Sequence, residues 1–300
     1  MGTPRVSVLI PVHNGERFIA GAVESALGQK FEELEVLVVD DGSRDETSRV
    51  LESFGERIRR FSQPQRGAYA ARNFGLGEAR GEFIAFLDAD DRWHRDKLQK
   101  QIPLLESDPE IGLVFSNGLI VREGEKNPMA DFFRLGAPAR GRVFPSLVRR
   151  NFIPQSSVVV RKQCFQALGP FLEIKMGADY HKWMQISRVY KLDYREEPLF
   201  TYTIHGENLS SDWAGRYRDF LLLFDDLIRT AEDPRAVSLL RKRRLELEYE
   251  FGLRCLREGT GFVWSGIWKR KEGINLGGRC ASLLRVLGGR LAAPFRRRER

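Results

Sequence analysis

The segment that most constrains this chain is Glu82-Phe83-Ile84-Ala85-Phe86-Leu87-Asp88-Ala89-Asp90-Asp91, an apolar run of strand length that ends in three carboxylates within four positions, with Trp93 just beyond. Negative charge gathered at the end of a buried strand is costly unless a cation offsets it. In an open α/β sheet, ligands bind in the crevice at the carboxyl ends of the strands. The pattern therefore predicts an α/β sheet whose acidic edge holds a divalent ion carrying an anionic ligand. Oxygen ligands suit Mg2+ or Mn2+, and Mg2+ usually takes one or two carboxylates together with phosphate oxygens. A nucleoside diphosphate is the expected ligand.

The same unit recurs upstream. Val6 to Val12 is an apolar, β-branched run closed by His13-Asn14-Gly15, a first strand and its turn, and Asn14 is expected to cap the helix on which Ile19, Val23, Ala26 and Leu27 share a face. Leu34 to Val39 is a second strand, ending in Asp40-Asp41-Gly42-Ser43, and Asp45 is expected to cap a helix that turns Val50, Leu51 and Phe54 to the sheet. A third helix is expected from Ala68 to Ala79, ahead of the Phe83 strand. Three β-α units imply a parallel sheet. Beyond Asp91, Leu98, Ile102 and Leu105 mark a helix, and Ile111 to Ser116 a strand. Gly124 to Gly141 reads as a loop, and Ser156 to Val160 and Leu199 to His205 as strands flanking a helix near Tyr180 to Val189.

With 300 residues, 42% of them hydrophobic and 30% charged, the chain can bury one good core and carry an extension. Cys164, Cys255 and Cys280 lie far apart, in no metal-ligand spacing, and read as reduced thiols. No apolar run approaches the length of a membrane span and the start lacks a secretory signal, so a cytoplasmic location is expected. The net charge of +8 is not spread evenly: residues 214–300 hold 20 Lys and Arg against 11 Asp and Glu, which leaves residues 1–213 near neutrality. A nucleic-acid groove over the acidic edge is therefore excluded.

Gly75-Leu76-Gly77-Glu78-Ala79-Arg80-Gly81 misses the dinucleotide fingerprint, because Arg80 stands in the third glycine's place and the segment precedes a strand. Walker-type lysine, His-Glu-x-x-His and G-x-S-x-G motifs are absent. Four blocks remain in order: Val6-Ser7-Val8-Leu9-Ile10-Pro11-Val12-His13-Asn14; Val38-Val39-Asp40-Asp41-Gly42-Ser43 with Asp45; Arg66-Gly67 leading to Ala71-Arg72-Asn73; and Phe86-Leu87-Asp88-Ala89-Asp90-Asp91. Together they closely resemble the family-two inverting glycosyltransferases, tightly over the first third of the chain and more loosely to about Ser211.

The resemblance implies a GT-A fold, a Rossmann-like, mostly parallel sheet flanked by helices, together with a nucleotide-diphospho-sugar donor and Mg2+ or Mn2+. It puts Pro11 and Asn14 in the nucleotide-binding first loop and Asp41 on the base, where a carboxylate suits uracil or thymine, so a UDP- or dTDP-sugar, with GDP as the alternative. Asp88 would face the ribose and metal, Asp90 would bind the metal directly, and His205 is a further candidate near the diphosphate. Arg66 and Arg72 are expected beside the base or diphosphate, although Arg72 could instead support the fold. The acceptor-side base aligns with Asp179 in Gly177-Ala178-Asp179-Tyr180, where Ala178 replaces the family's first acid; taken alone, Asp179 would read as a helix cap. Trp93 and Trp183 could stack on sugars or pack in the core.

The expected organisation is a GT-A domain over residues 1–213, with a nucleotide-sugar half to about residue 110 and an acceptor half after it, then a basic, mainly helical extension over 214–300. Within the extension, Arg244 to Leu253 alternates as a strand would. Leu284, Leu287 and Leu291 with Trp264, Trp268 and Arg296-Arg297-Arg298 suit a helix on an anionic membrane surface, the alternative being a packing arm. The expected acceptor is a glycan or lipid-linked precursor. A sugar nucleotidyltransferase should carry a glycine-rich, basic loop after the first strand, which Pro11-Val12-His13-Asn14 is not; a non-catalytic scaffold is the other alternative.

Overall fold

The computed structural model describes residues 3–125, 127–134, 136–206 and 213–257. Among these, nine strands form one mixed sheet: β1 (Val6–Val12), β2 (Leu34–Asp40), β3 (Arg59–Ser62), β4 (Phe83–Phe86), β5 (Arg92–Trp93), β6 (Ile111–Arg122), β7 (Ala130–Asp131), β8 (Val159–Arg161) and β9 (Lys191–Ile204). Their order is β3-β2-β1-β4-β8-β6-β9-β5, with β7 beside β6. The helices are α1 (Ile19–Leu27), α2 (Thr47–Glu52), α3 (Ala68–Glu78), α4 (Lys97–Ser107), α5 (Phe144–Arg149), α6 (Lys162–Leu168), α7 (Ala178–Val189), α8 (Trp213–Thr230) and α9 (Pro234–Arg257).

Strands β3, β2, β1 and β4 are parallel, as the alternation of strands and helices requires. Every residue of β1 is buried, and this explains its unbroken apolar run: helices cover both faces of the sheet. Val8 and Ile10 belong to a core shared with α1 and α4, whereas Leu9 belongs to a core on the other face shared with Phe86, Trp183 and Phe224. In the parallel register Val12 lies opposite Asp40 and Leu9 opposite Phe86. The three strands therefore emerge at one edge, and the loops that follow them make one rim.

Beyond β4 the direction changes. β8 lies antiparallel to β4 and to β6, and β9 runs parallel to β6 from Lys191 to Ile204 while its other edge pairs antiparallel with β5 at Phe200 and Thr201. This half departs from the sequence reading in several places. Ser156 belongs to a tight 3-10 turn, Gln155–Ser157, and not to a strand. β9 begins at Lys191 and not at the expected Leu199, because the charged Arg195-Glu196-Glu197-Pro198 stretch is bridged by an irregular register against Ser116 and Asn117. The loop expected at Gly124–Gly141 carries β7. In the first half, Asn14 does not cap α1, which starts only at Ile19.

Helix α8 buries Leu223, Phe224 and Leu227 in the core that holds Trp183 of α7, and one compact unit extends through Phe251. Arg244–Leu253 is helical, within α9, despite its alternation. Among the described residues no helix is long and apolar enough to cross a membrane. The expected interfacial helix, with Trp264, Trp268, Leu284, Leu287, Leu291 and Arg296–Arg298, lies outside the described residues, as does Cys280.

The α7–α8 contact makes the fold sensitive to acid. His181 is buried with Nε2 2.9 Å from Asp226 Oδ2 and with Nδ1 unpartnered. Burial pushes its imidazole down from 6.5 to about 4, against the pull of Asp226. As the pH falls below 6.5 the unfolded chain takes up a proton that the folded chain refuses, so stability present above that pH is progressively lost toward pH 4. The expected loss is roughly 3 kcal/mol at the acid end of the window. Thermal melts across it should show a falling Tm for the wild type and a flatter profile for His181→Gln.

Candidate active site

The rim after β1 and β2 is stitched together by short polar side chains. Asn14 sits at a left-handed φ of 51°, donates its N–H to Ser43 Oγ at 2.9 Å and accepts from the Arg44 N–H through Oδ1 at 2.8 Å. The Gly15 N–H donates to Thr47 Oγ1 at 2.8 Å and the Glu16 N–H to Asp45 Oδ2 at 3.1 Å. The other oxygen of Asp45 accepts from the Thr47 N–H at 3.0 Å, where α2 begins. Asp41, only 3% exposed, anchors the third loop: Oδ1 accepts from Gln63 Nε2 at 2.7 Å and the Arg66 N–H at 2.8 Å, and Oδ2 from the Gly67 N–H at 2.7 Å. A carboxylate offers about four lone pairs, so one is left for a ligand. Gly67 has φ +100°, a conformation that side chains resist, and from it α3 departs.

The acidic end of β4 is held from three directions. Asp88 forms an ion pair with Arg72 of α3, itself 6% exposed, and its N–H donates to Ser156 Oγ at 3.1 Å. Burial pushes the Asp88 carboxyl up, Arg72 opposes this and Asp90 reinforces it. Asp91 accepts from the Ser156 hydroxyl and from the Thr203 N–H, and burial followed by the charges of Asp88 and Asp90 drives it well above the usual carboxylate range. This third acid thus ties the strand end to β9 and to the turn before β8. Asp90 Oδ2 lies 2.9 Å from His205 Nε2, and the imidazole stacks on Phe18 at 4.6 Å between centroids. Trp93 and Trp183 are core residues: Trp93 donates Nε1–H to the Ser156 carbonyl at 2.7 Å, and Trp183 is fully buried against Phe86 and Phe171.

Across the cavity, Asp179 lies in the first turn of α7. It makes no side-chain cap, contrary to the capping alternative; its Oδ1 accepts from the Tyr69 hydroxyl at 2.8 Å. Gly177, at φ +82°, allows the approach of α8: a Cβ there would stand 2.6 Å from Phe220 Cε1. Tyr69 escaped the sequence reading. Its signal is the three-residue step to Arg72 on one helix, which puts both on the same face, with Arg72 Cζ 4.9 Å from the Tyr69 ring centroid.

Pro11, Asn14, Asp41, Tyr69, Arg72, Asp88, Asp90, Asp179 and His205 all line one cavity of about 1190 Å³, together with Lys175, Tyr202 and Arg216. Arg66 is the exception among the expected site residues. Its backbone N–H reaches Asp41, but its guanidinium turns outward to Glu173 at 2.9 Å. Among the described residues no group of three or more His, Cys, Asp and Glu is arranged as a ready-made cation cage. What Asp88, Asp90 and His205 provide is a partial donor set of carboxylate oxygens and one imidazole, with surplus negative charge. Such a set suits a hard ion that brings further oxygen ligands of its own.

A family profile described as glycosyl transferase family 2 matches residues 7–166, which hold all the rim loops just described. An uncharacterized glycosyltransferase from Rickettsia felis is 27% identical over 247 residues, 79% of this chain, and the chain spans 40% of that relative's length. Among solved structures, S. aureus TarS 1-349 in complex with UDP-GlcNAc superposes with a TM-score of 0.60 at 20% identity, covering 90% of this chain and 77% of TarS 1-349. The mannosyltransferase PcManGT from Pyrobaculum calidifontis, in complex with GDP-Man and Mn2+, gives a TM-score of 0.59 at 20% identity, covering 96% of this chain and 80% of that one. Both share the mixed sheet and flanking helices of the expected GT-A fold. By its sequence profile and its fold, the chain belongs to glycosyl transferase family 2.

Proposed function

We propose that this chain is an inverting, metal-dependent transferase that moves a sugar from a nucleotide-diphospho-sugar to an acceptor hydroxyl, in the synthesis of a polysaccharide, lipopolysaccharide or other glycoconjugate. The observation that carries this reading is the shared cavity, with Asp41, the Asp88–Asp90–His205 group and Asp179 all on its walls. Neighbours solved with UDP-GlcNAc and with GDP-Man and Mn2+ support a nucleotide-sugar donor. The spare lone pair of Asp41 suits the ring N–H of uracil or thymine, and guanine offers comparable donors. The acceptor is read as a glycan or a lipid-linked precursor. The reaction belongs to the cytoplasm, at the inner membrane face if residues 214–300 bind an anionic leaflet.

Asp88, Asp90 and His205 would hold Mg2+ or Mn2+. Bound there, the ion would neutralise the departing diphosphate. Arg72 fixes Asp88, so that carboxylate is aimed before any ligand arrives. On the acceptor side, Asp179 takes the proton of the acceptor hydroxyl while its oxygen bonds to the anomeric carbon. The bond from that carbon to the diphosphate oxygen breaks on the opposite face, which inverts the centre.

Two variants test the two walls separately. Asp90→Ala should weaken UDP binding in the presence of Mn2+ by roughly 10- to 100-fold while the protein still melts cooperatively; calorimetry showing unchanged affinity would remove Asp90 from the metal site. Asp179→Asn should bind UDP with Mn2+ as the wild type does, yet lose about 100-fold or more in turnover of the bound donor. Undiminished release of UDP from UDP-GlcNAc would exclude it as the base.

A further inference from the structure

We infer that Tyr69 is the positioning residue of the acceptor-side base: its hydroxyl fixes Asp179 Oδ1, aims Oδ2 at the acceptor and keeps the carboxylate from collapsing onto Arg72. The inference rests on the reading of Asp179 as the base. Tyr69 does not itself exchange a proton in the reaction.

The ring of Tyr69 has little freedom. It is 9% exposed, packs against Phe171 with centroids 5.7 Å apart, and has the Arg72 guanidinium 4.9 Å from its centroid. A ring held in this way delivers its hydroxyl to one point, 2.8 Å from Asp179 Oδ1. Burial, and after it the negative charge of Asp179, pushes the phenol well above its ordinary range, so it stays an O–H donor at any working pH.

The need for such a donor follows from the neighbouring charges. The charges of Asp88 and, more weakly, of Asp179 both act on Arg72, whose guanidinium lies against the ring of Tyr69. Two carboxylates therefore compete for one guanidinium. Asp88 holds it by a direct hydrogen bond, and Asp179 is satisfied by the phenol instead. Among the described residues no other side-chain hydrogen bond holds the Asp179 carboxylate, and the terminal torsion of an aspartate is broad, so without the hydroxyl it is free to turn toward the charge of Arg72. A base drawn into an ion pair is turned from the acceptor and has one oxygen occupied. Removing the Arg72–Asp88 bond to make the new pair would also loosen the donor wall.

The experiment compares wild type, Tyr69→Phe, Asp179→Asn and the double variant, with UDP release from UDP-GlcNAc and GDP release from GDP-mannose in Mn2+ as the rate, and calorimetry of UDP and GDP as the binding readout. Tyr69→Phe retains the packed ring, so the protein should fold. It should lower the rate about 10- to 100-fold with nucleotide affinity unchanged, and it should cost nothing further in the Asp179→Asn background, since groups that act as one unit are not additive. A wild-type rate for Tyr69→Phe beside a dead Asp179→Asn overturns this inference alone. The same holds for equal rate losses in the two backgrounds. An active Asp179→Asn overturns the base assignment and this inference with it.

Discussion

The ion pair between the buried Arg72 and the half-buried Asp88 is the interaction on which the rest of the site depends. Three carboxylates crowd the end of β4, and the Asp88 and Asp91 carboxyls are both pushed up by burial. A lone acid in such a place would protonate or force the loop open. Arg72 opposes this for Asp88, and the Ser156 hydroxyl and the Thr203 N–H oppose it for Asp91. The loop can be that acidic only because α3, the turn before β8 and the end of β9 are all brought to it. A break in any one of these would leave a buried charge without its partner, which costs far more than the pair itself contributes.

That dependence gives the change of strand direction after β4 a purpose. A purely parallel sheet would leave the far side of β4 to another helix crossover. With β8 antiparallel, the turn at Gln155–Ser157 arrives beside Asp88 and Asp91, and β9 can run parallel to β6 and deliver Thr203 and His205 to the same rim. The acidic rim is therefore made by the first three β-α units and closed by a strand from the second half of the chain.

The sequence made the first half legible because its elements obey one rule at a time. β1, β2 and β4 are buried on both faces and read as unbroken apolar runs, and each ends in the polar residues that build the rim. The second half mixes signals. β3, Arg59-Arg60-Phe61-Ser62, is a half-exposed edge strand whose arginines mask its alternation. β9 crosses a charged stretch and a proline by shifting register, which no period-two pattern can show. Asn14 reads as a cap by type, but the turn between it and Ile19 leaves no helix N–H within its reach, and its amide bonds the neighbouring loop instead. Arg66 and Arg72 both read as cations near the base or diphosphate, with support of the fold as the alternative for Arg72. Only three dimensions reveal that one faces solvent and the other is buried. Tyr69 was hidden because a tyrosine on a helix carries no chemistry until its partner, 110 residues away, is known.

The helices after the sheet bear on the turn that carries Asp179 in the same way. The Met176 N–H donates to Asp219 Oδ2 at 2.8 Å, the ring of Phe220 lies against Gly177, and Phe220 and Phe224 flank Tyr180, whose hydroxyl donates to the Leu147 carbonyl at 2.8 Å. The turn that carries Asp179 is thus gripped by α8 from outside and by Tyr69 from inside. The glycine at φ +82° that precedes this turn adds no side chain of its own to fix it, so its position rests on these neighbours. The apolar stripe of α8 is then explained by what it holds as well as by burial: Leu223 and Phe224 keep in place the helix on which Asp179 is mounted.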